Sequence, residues 1–392
     1  MNSTAYSLPR PTQPNQPLAS MYTPEQTDEI IATLTLNRLQ GLSHSQAIGL
    51  IDHYGSACAA LADDAPINPA WAILQHDVSG LRMARDRALR EFDFCQEHHI
   101  RIIPTTAEDY PRRLLLGKRD ERPLQLFYCG SGNLDRRHII SIVGTRHITE
   151  YGKIMCEKLL HELAEIIPDA LIISGLAYGV DIHAHRAALV NNLDTMAVLA
   201  HGLDRIYPSK HRDTAEQMTH HGGLLTEYFT NTVPDKGRFI CRNRIVAGMS
   251  SATIVVESAS HGGSLVTARL AREYGRCVMA VPGRDTDVYS AGCNNLIRDG
   301  YATLITCGAD IVRLLGWGQT ALSSKPEPTL FKVLDEREQR IVDALEKVDY
   351  LTMDQLALQT QLSVSELADA LFQLEDDDYV KRLPGNRYRM RR

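Results

Sequence analysis

The segment from residue 238 to residue 283 constrains the fold of this 392-residue chain more than any other part of it. It reads as a basic helix, an apolar strand over 253–256, a Gly/Ser loop, a second helix, and an apolar strand over 278–281. Continuous apolar strands are typical of parallel sheets that are buried on both faces. A Gly/Ser loop that leads into a helix N-terminus presents free backbone N–H groups to an anion. The segment therefore predicts a βαβ unit, and the arginines beside it indicate a phosphate ligand with more than one charge.

Alternating strands and helices extend this pattern upstream as far as residue 138. The predicted strands cover residues 139–143, 171–173, 196–200, 224–226, 253–256 and 278–281. Repeated units of this kind give an α/β fold with a doubly wound parallel sheet, whose ligands bind beyond the carboxyl ends of the strands. We therefore expect the ligand among five loops, each with a glycine that lets the backbone come close to it. These loops are 144–146, 174–179, 201–202, 257–264 and 282–283.

The residues before the sheet have a helical pattern. Apolar residues at three- and four-residue spacing predict a helical domain over 25–100, and residues 101–137 form a connection with a strand at 124–128. The turn at 39–48 resembles a helix-hairpin-helix, but Ser43 stands in place of its second glycine. We favour a small helical bundle over DNA contact by this turn. The polar, proline-rich residues 1–24 predict a disordered tail.

The C-terminal residues 335–392 have the pattern of a winged helix, which follows a Pro/Ser-rich linker over 318–334. The predicted elements are helices at 335–349, 352–360 and 363–375 and a two-stranded wing that turns at 384–386. The third helix is acidic and would repel DNA phosphates, whereas the wing is basic. This charge pattern favours a protein-interaction role, or DNA contact by the wing alone, over groove readout.

Composition and missing motifs exclude several classes of function. The formal net charge is −6, so any polyanion site must be a local patch. The eight cysteines form no C-x-x-C pair and no zinc spacing, which predicts reduced thiols in a cytoplasmic protein without a metal. No apolar stretch reaches the roughly 18 residues of a membrane span. Neither a dinucleotide fingerprint nor a P-loop follows a strand, so no cofactor is expected.

Basic residues near the predicted loops are the first candidates for ligand contact. Arg146 directly follows the first strand, and a phosphate or base contact is favoured there over a salt bridge. Arg238 and Arg242 are four residues apart and share a helix face, from which Arg244 is displaced. A solvated helix face is the plain alternative, although apolar neighbours indicate a mostly buried helix. Phe239 would either stack on a base or belong to the core.

Two acidic or histidine patterns point to catalysis or metal binding, but only weakly. Asp181, His183 and His185 contain H-x-H, yet residues two apart on a helix point in different directions, so a shared metal is not expected. Glu257 follows a predicted strand, where a general base could lie. No nucleophile accompanies it, and its plain alternative role is to accept N–H bonds at a helix end.

Taken together, the motifs resemble the DNA-processing protein A family (DprA, also called Smf) of bacterial natural transformation. The resemblance covers about residues 100–315, in the order 143–152, 174–185, 202–208, 242–250, 263–268, 282–283 and 292–297. The departures from the family pattern are Thr145, His211 and Ile240. They affect the expected shape of the base pocket and leave the resemblance intact.

The resemblance implies a Rossmann-like core domain over 101–317, between the helical domain (SAM-like or helix-hairpin-helix-like) and the winged-helix domain. It also implies a non-enzymatic protein that binds single-stranded DNA, protects the incoming strand and loads RecA during transformation and recombination. A homodimer without a cofactor, a metal or a membrane anchor is expected. If three arginines neutralise phosphates, affinity should fall with salt at a slope of about −2, from roughly −0.7 per phosphate.

The resemblance and the residue patterns together give the expected nucleic-acid site. Arg146 and the basic residues after Tyr207-Pro208 are expected to contact DNA directly, and the arginines at 238–244 to line or support the same groove. The full set is Gly144, Thr145, Arg146, Ser174, Gly175, Ala177, Gly179, Lys210, Arg212, Arg238, Phe239, Arg242, Asn243, Arg244, Gly263, Ser264 and Thr267.

An enzyme is the competing interpretation. Glu257 beside a Gly-Gly-Ser loop resembles the nucleoside-monophosphate phosphoribohydrolases, whose loop reads P-G-G-x-G-T-x-x-E. Here the proline and the trailing glutamate of that loop are both absent, and Ser260 and Arg269 stand near those places. A regulatory nucleotide sensor, which would bind mononucleotides tightly without turnover, is the third possibility.

Overall fold

The computed structural model describes residues 21–62, 78–317, 334–345, 350–376, 379–383 and 386–390. The chain divides into two compact units, Met1–Gln319 and Thr320–Arg392. Most of the predicted tail and linker, and part of the predicted wing turn, lie outside the described residues. No helix in the described part of the chain is long and apolar enough to cross a membrane.

In the described residues, four helices precede the sheet of the first unit. They are α1 (Pro24–Arg38), α2 (His44–Tyr54), α3 (Ala57–Leu61) and α4 (Val78–Glu97). A capping box starts α1, because the Thr23 side chain accepts the Gln26 N–H and the Gln26 side chain accepts the Thr23 N–H. Ile30 and Ala88 from these helices share one buried cluster with Phe127 of the sheet. The helical segment and the sheet therefore form one compact unit with a common core.

The turn between α1 and α2 packs against the rest of the unit. His44 Nε2 lies 2.7 Å from the carbonyl oxygen of Arg122, and the Ser45 hydroxyl donates to Asp120 at 2.8 Å. Ser43 caps α2 through a second capping box. These contacts cover the N-terminus of α2 and are those of a helical bundle.

The sheet of the first unit has nine strands in the described residues. They are β1 (Arg101–Pro104), β2 (Gln125–Gly130), β3 (Ile139–Val143), β4 (Leu171–Ser174), β5 (Asp194–Val198), β6 (Gly222–Thr226), β7 (Ala252–Val255), β8 (Cys277–Ala280) and β9 (Thr303–Leu304). Their order across the sheet is β1-β2-β6-β5-β4-β3-β7-β8-β9. Pairs β1/β2 and β2/β6 are antiparallel, and every other pair is parallel.

The strand order reverses at β3. The chain proceeds from β3 through β4 and β5 to β6 on one side, then returns to place β7 on the other side of β3. In doubly wound sheets, such a reversal opens a crevice beyond the carboxyl ends of the strands. The α/β core is therefore doubly wound, as predicted, and it positions the loops after β3 and β7 at the switch point.

Helices cover both faces of this sheet, in agreement with the buried apolar runs of its strands. They are α6 (Glu150–Ile166), α7 (Val180–Val190), α8 (Arg212–His220), α9 (Lys236–Met249), α10 (Gly263–Glu273), α11 (Ala291–Arg298) and α12 (Gly308–Leu315), after a short α5 (Arg112–Leu115). The strand predicted at 196–200 lies instead at Asp194–Val198, because the buried apolar run continues beyond the last ladder pair. Strands β1 and β9 were not predicted.

The second unit has a winged-helix arrangement. Its elements are α13 (Glu336–Leu345), β10 (Leu351–Thr352), α14 (Met353–Thr360), α15 (Val364–Asp376), β11 (Val380–Leu383) and β12 (Arg387–Met390). The strands form an antiparallel sheet in the order β10-β12-β11. Lys381 lies opposite Arg389 across the hairpin and both are exposed, while Glu366 and Asp369 are exposed on α15. The predicted contrast between an acidic helix and a basic wing is thus present in the structure.

Candidate nucleic-acid interface

A pocket of about 600 Å³ opens at the switch point, beyond the carboxyl ends of β3 and β7. We call it the groove. Its walls come from the loop after β3, the start of α7, the first two turns of α9 and the loop before α10. The lining residues are Val143, Gly144, Thr145, Arg146, Ala177, Asp181, Tyr207, Pro234, Asp235, Lys236, Phe239, Ile240, Arg242, Asn243, Ser258, Ala259, His261, Gly262, Gly263, Ser264 and Thr267.

Backbone hydrogen bonds hold three of these loops together. The Thr145 N–H donates to the Glu257 carbonyl at 2.7 Å, and the Val180 N–H donates to the Thr145 carbonyl at 3.0 Å. Gly179 has a φ of +77°, and a Cβ there would collide with the Thr145 carbonyl oxygen. A Cβ at Gly175 would collide with the Arg242 guanidinium. These glycines allow the loops to pack on one another, which corrects the prediction that they leave room for a ligand.

The glycines before α10 are different, because a Cβ at either would make only ordinary van der Waals contacts. The nearest atoms to a Cβ at Gly262 or Gly263 would lie 3.6 Å and 3.9 Å away. Gly262 is the N-cap of α10 and supplies no side chain to bond the first-turn N–H groups. The Ser264 hydroxyl donates to Ser258 at 2.9 Å, and that of Thr267 to the Gly263 carbonyl at 3.2 Å. The first-turn N–H groups of α10 thus have no side-chain cap, an arrangement that suits an anionic ligand.

Two cations line the groove without a carboxylate partner. The Arg146 guanidinium lies 5.1 Å from the centre of the Phe239 ring, and Arg146 is exposed. Lys236, the first residue of α9, is also exposed. Within the described residues, no carboxylate lies within 4.0 Å of either side chain. The Tyr207 ring lies 6.2 Å from Phe239, so two aromatic rings stand beside the free cations. This combination is suited to phosphates and unstacked bases.

Arg242 belongs to the floor of the groove and is only 4% exposed. Its guanidinium donates to the carbonyl of Gly175 at 3.0 Å and to that of Val198, so it ties together the ends of β4 and β5. The same group lies 5.7 Å from the Phe239 ring centre. Burial lowers the pKa of Arg242, and burial raises the pKa of Asp181, against the opposing effect of the nearby Arg242. Arg242 therefore supports the groove from below.

The other two arginines of α9 do not line the groove, which corrects the expectation for this helix. Both Glu227 oxygens accept from Arg244, at 2.5 Å and 2.6 Å, on the side of α9 away from the groove. Arg238 pairs with Asp235 and donates to the Val233 carbonyl at 2.8 Å. Residues two apart on a helix point about 200° around its axis, so Arg242 and Arg244 cannot share a surface.

Of the other predicted residues, some line the groove and some lie outside it. Asn243 lines the groove and donates to the Gly263 carbonyl at 3.3 Å. Ser174 is fully buried and its hydroxyl donates to the Ile142 carbonyl at 2.6 Å, so it does not reach the groove. Lys210 and Arg212 are exposed just after Tyr207-Pro208, outside the groove lining.

Sequence reasoning missed Lys236 and did not single out Tyr207. The spacing of Lys236 from Phe239 was an available signal, because residues three apart share a helix face. Tyr207 lay inside a motif that was already recognised, but its ring had no predicted neighbour. Both residues line the groove.

Glu257, the candidate general base, is 2% exposed and is not part of the groove lining. One carboxylate oxygen accepts the Thr149 N–H at 2.9 Å, and the other accepts the Thr149 hydroxyl at 2.5 Å. Thr149 is the N-cap of α6, so Glu257 holds a helix start. His185 is also buried, with Nδ1 2.7 Å from the Thr195 hydroxyl. The described residues contain no cluster of three potential metal ligands.

Comparison with known protein families shows to which family the chain belongs. A family model described as DNA recombination-mediator protein A matches residues 101–316, more than half of the chain, and a DprA winged helix domain model matches residues 324–386. The chain belongs to the DprA family. The two family models match the core and the winged-helix regions described above, which confirms the predicted resemblance.

Relatives named DprA or Smf are similar to this chain over most of their length. The putative DNA processing protein DprA of Mycobacterium tuberculosis is 36% identical over 315 residues, which are 77% of this chain and 80% of the relative. Protein Smf of Escherichia coli is 35% identical over 304 residues, covering 75% and 78%.

Two solved DprA structures are also similar. DprA from Streptococcus pneumoniae aligns with a TM-score of 0.59 at 30% identity, over 71% of this chain and 95% of that one. DNA processing protein A from Helicobacter pylori, described for its single-stranded DNA binding mode, aligns with a TM-score of 0.50 at 31% identity. That alignment covers 56% of this chain and 96% of that one.

Proposed function

We propose that this chain binds single-stranded DNA in the groove, protects the strand, and delivers it to RecA in the cytoplasm. The observation that carries the proposal is the pairing of unpartnered cations with an aromatic ring. Arg146 and Lys236 have no carboxylate partner among the described residues and stand beside Phe239, opposite the open N-terminus of α10. Phosphates would bind to the cations and to the helix N-terminus, and a base would stack on the ring.

The groove favours a single strand over a duplex. The rings of Phe239 and Tyr207 can stack only on a base that has left the helical stack, and stacking of this kind tolerates every base. The chain also has a net charge of −6, so a duplex would meet few cations outside local patches. The single-stranded DNA binding mode described for the H. pylori relative supports the same ligand.

The residues of the groove support binding and not catalysis. Glu257 uses both of its carboxylate oxygens to hold Thr149 and lies outside the groove lining. Two carboxylates do line the groove. Asp181 accepts the Ala177 N–H at 3.4 Å and lies close to Arg242, and Asp235 caps α9 and pairs with Arg238. All three carboxylates thus have structural partners, which argues against the phosphoribohydrolase alternative.

Delivery to RecA and homodimer formation rest on family membership. DprA is a family of recombination mediators by the description of its model, and a mediator must release its strand to a recombinase. The proposal therefore includes RecA as a partner and a dimer as the working form.

Fluorescence anisotropy with a labelled poly-dT oligonucleotide and its duplex tests the proposal. We expect wild type to prefer the single strand, and Arg146→Ala to weaken that binding by about tenfold or more, because a charged hydrogen-bond donor to phosphate is lost. Arg313→Ala is the matched control, since Arg313 is 74% exposed on α12 and pairs with Asp310. Duplex preference, or equal effects of the two substitutions, would overturn the proposal.

A second assay separates binding from the enzyme alternative. Incubation with nucleoside monophosphates should release no free base from wild type. Base release that is lost in Glu257→Gln would instead establish hydrolysis, and tight mononucleotide binding without release would establish a sensor.

A further inference from the structure

Exposed tyrosines mark a surface that continues from the groove. Five tyrosines among the described residues are more than two-fifths exposed: Tyr151, Tyr178, Tyr207, Tyr301 and Tyr350. A large ring left in water is a candidate contact for a ligand when nothing in the protein occupies it. The partners of each ring therefore distinguish structural tyrosines from available ones.

Three of the five are engaged by the protein itself. The Tyr151 hydroxyl donates to the Pro282 carbonyl at 2.7 Å. The Arg272 guanidinium lies 3.8 Å from the centre of the Tyr301 ring, and that of Arg387 lies 5.0 Å from the Tyr350 ring. Tyr178 and Tyr207, which are 45% and 47% exposed, have neither a hydroxyl hydrogen bond nor a cation over the ring within the described chain.

These two available rings lie on neighbouring turns at the carboxyl ends of β4 and β5. Tyr207 lies 6.2 Å from Phe239, at the wall of the groove. His211, at the other end of the same turn, lies 5.0 Å from the Tyr178 ring in an edge-on contact. His211 Nδ1 is also 2.8 Å from the Leu176 carbonyl oxygen, so the two turns are fixed to each other.

A free cation accompanies the rings. Lys210 is the middle residue of the one-turn 3-10 helix Ser209–His211. In sequence it lies between Tyr207 and His211, whose ring contacts Tyr178. It is exposed and has no carboxylate within 4.0 Å among the described residues. Tyr207 lines the groove, whereas Lys210 and Tyr178 do not.

We propose that Tyr207 and Tyr178 stack successive bases of the strand that leaves the groove, while Lys210 contacts a phosphate between them. This inference deepens the proposed function and rests on it, since it requires that the groove hold single-stranded DNA. Base–aromatic stacking is tolerant of sequence, and a lysine beside the rings follows the backbone. We call Tyr207, Lys210 and Tyr178 the track. Because Tyr207 already lines the groove, the track would extend the bound strand by about one nucleotide, at Tyr178.

A length series of labelled oligo-dT tests the track with the full chain. Wild-type affinity should rise with length until the track is filled. Tyr178→Ala should weaken binding of the longer strands about tenfold, at the typical strength of base–aromatic stacking, and leave the shortest bound strand unchanged, whereas Tyr207→Ala, at the groove wall, should weaken binding of every length. Tyr178→Phe should restore binding and Tyr178→Leu should not, because the ring is what stacks. Tyr301→Ala, at the same 47% exposure as Tyr207, is the control.

A strand with 2-aminopurine at successive positions provides the second readout, since stacking on tyrosine quenches its fluorescence. Quenching at one position that is lost in Tyr178→Ala, with an unchanged urea midpoint, would establish stacking. If Arg146→Ala abolishes binding while Tyr178→Ala binds every length like wild type, the proposed track is wrong and the proposal for the groove is kept. If wild type binds no single strand, both proposals fall.

Discussion

The first unit contains two concentrations of positive charge, and they differ in what surrounds the cations. The groove contains Arg146, Lys236 and the buried Arg242. The second concentration, which we call the arginine-rich cluster, surrounds a cavity of about 10 Å³ on another part of the unit. Its cations are Arg113, Lys118, Arg122, Arg244 and Arg276. By number of cations alone, the cluster would be the better phosphate site.

Each cation of the cluster has a carboxylate or carbonyl partner within the protein. Lys118 pairs with Glu273 at 2.8 Å, Arg122 with Asp52 at 2.8 Å, and Arg244 with Glu227. Arg113 donates to the carbonyls of residues 136 and 137, and Arg276 to that of residue 113. The cavity has room for about one water molecule.

The comparison shows that partners, and not the count of cations, separate a binding site from a structural one. In the cluster, carboxylates and carbonyls take the charge, and the cations join elements that are distant in sequence. In the groove, two cations have no carboxylate partner among the described residues and lie at an open pocket with a half-buried ring, Phe239, and an exposed one, Tyr207. Three predictions test this contrast.

The largest expected effect is on stability, in the arginine-rich cluster. Glu227→Ala leaves Arg244 without its carboxylate, and both side chains of this pair are at most 16% exposed. Removing one partner of a buried pair should lower the free energy of unfolding by about 3–5 kcal/mol. Urea unfolding measures this loss, and DNA affinity per folded molecule should stay within about twofold of wild type.

Glu273→Ala is the control, because it removes the partner of Lys118, whose side chain is 51% exposed. Exposed ion pairs contribute little to stability, so the unfolding midpoint should hardly move. Equal losses in the two variants, or a DNA defect in Glu227→Ala, would contradict the division between cluster and groove.

The second prediction concerns the pH dependence of stability, which should differ below pH 7 between the groove floor and the arginine-rich cluster. Burial, with His211 and Arg242 nearby, lowers the pKa of His185 to about 3 beneath the groove floor. The unfolded chain binds this proton below about pH 6.5 and the folded chain does not. Stability is therefore lost as pH falls from about 6.5 toward 3, by about 2 kcal/mol at pH 5.

The arginine-rich cluster should not respond between pH 7 and pH 5. Burial would raise the pKa of Asp52, but the hydrogen bonds from Arg119 and Arg122 outweigh it, so the pKa lies below its usual 3.8. Stability from this carboxylate is present above that value and is lost only at lower pH. Urea unfolding of wild type and His185→Gln at pH 7 and pH 5 measures the difference, and an undiminished pH effect in the variant would rule out His185.

The sheet could be predicted from sequence because its central strands are continuous apolar runs. Ile139–Val143 was predicted with its observed bounds, since all five residues are buried. The edge strands were missed for physical reasons. β1 has four residues, begins with Arg101 and ends with Pro104, and β9 is two exposed residues. Short edge strands carry little of the apolar pattern on which such predictions depend.

The groove was predicted only in part. Arg146 and Phe239 were found because one follows a strand and the other lies on a helix beside a glycine loop. The direction of Arg244 depends on Glu227, which lies 17 positions earlier in a separate loop, and no local pattern reveals that pairing. Likewise, a glycine required for packing, such as Gly175, looks in sequence like one that makes room for a ligand.

The smallest expected effect compares two lysines directly. Lys236 has no carboxylate partner in the described chain and lines the groove, so Lys236→Ala should remove one phosphate contact. The dependence of log affinity on log salt should become shallower by about 0.7, the value for one phosphate on a single strand. Lys118→Ala should leave the slope unchanged, since Lys118 lies near both Glu273 and Glu121.

Anisotropy titrations between about 50 and 200 mM salt measure both slopes on the same oligo-dT. The two substitutions remove the same charge, so long-range electrostatics alone would change the two slopes equally. A change in slope that occurs only in Lys236→Ala would mean that DNA phosphates displace counterions from Lys236 in the groove and not from Lys118. Equal changes in the two slopes would mean that the net electrostatic field of the protein attracts the strand. Whether a cation is paired or unpaired would then not determine its contribution to binding.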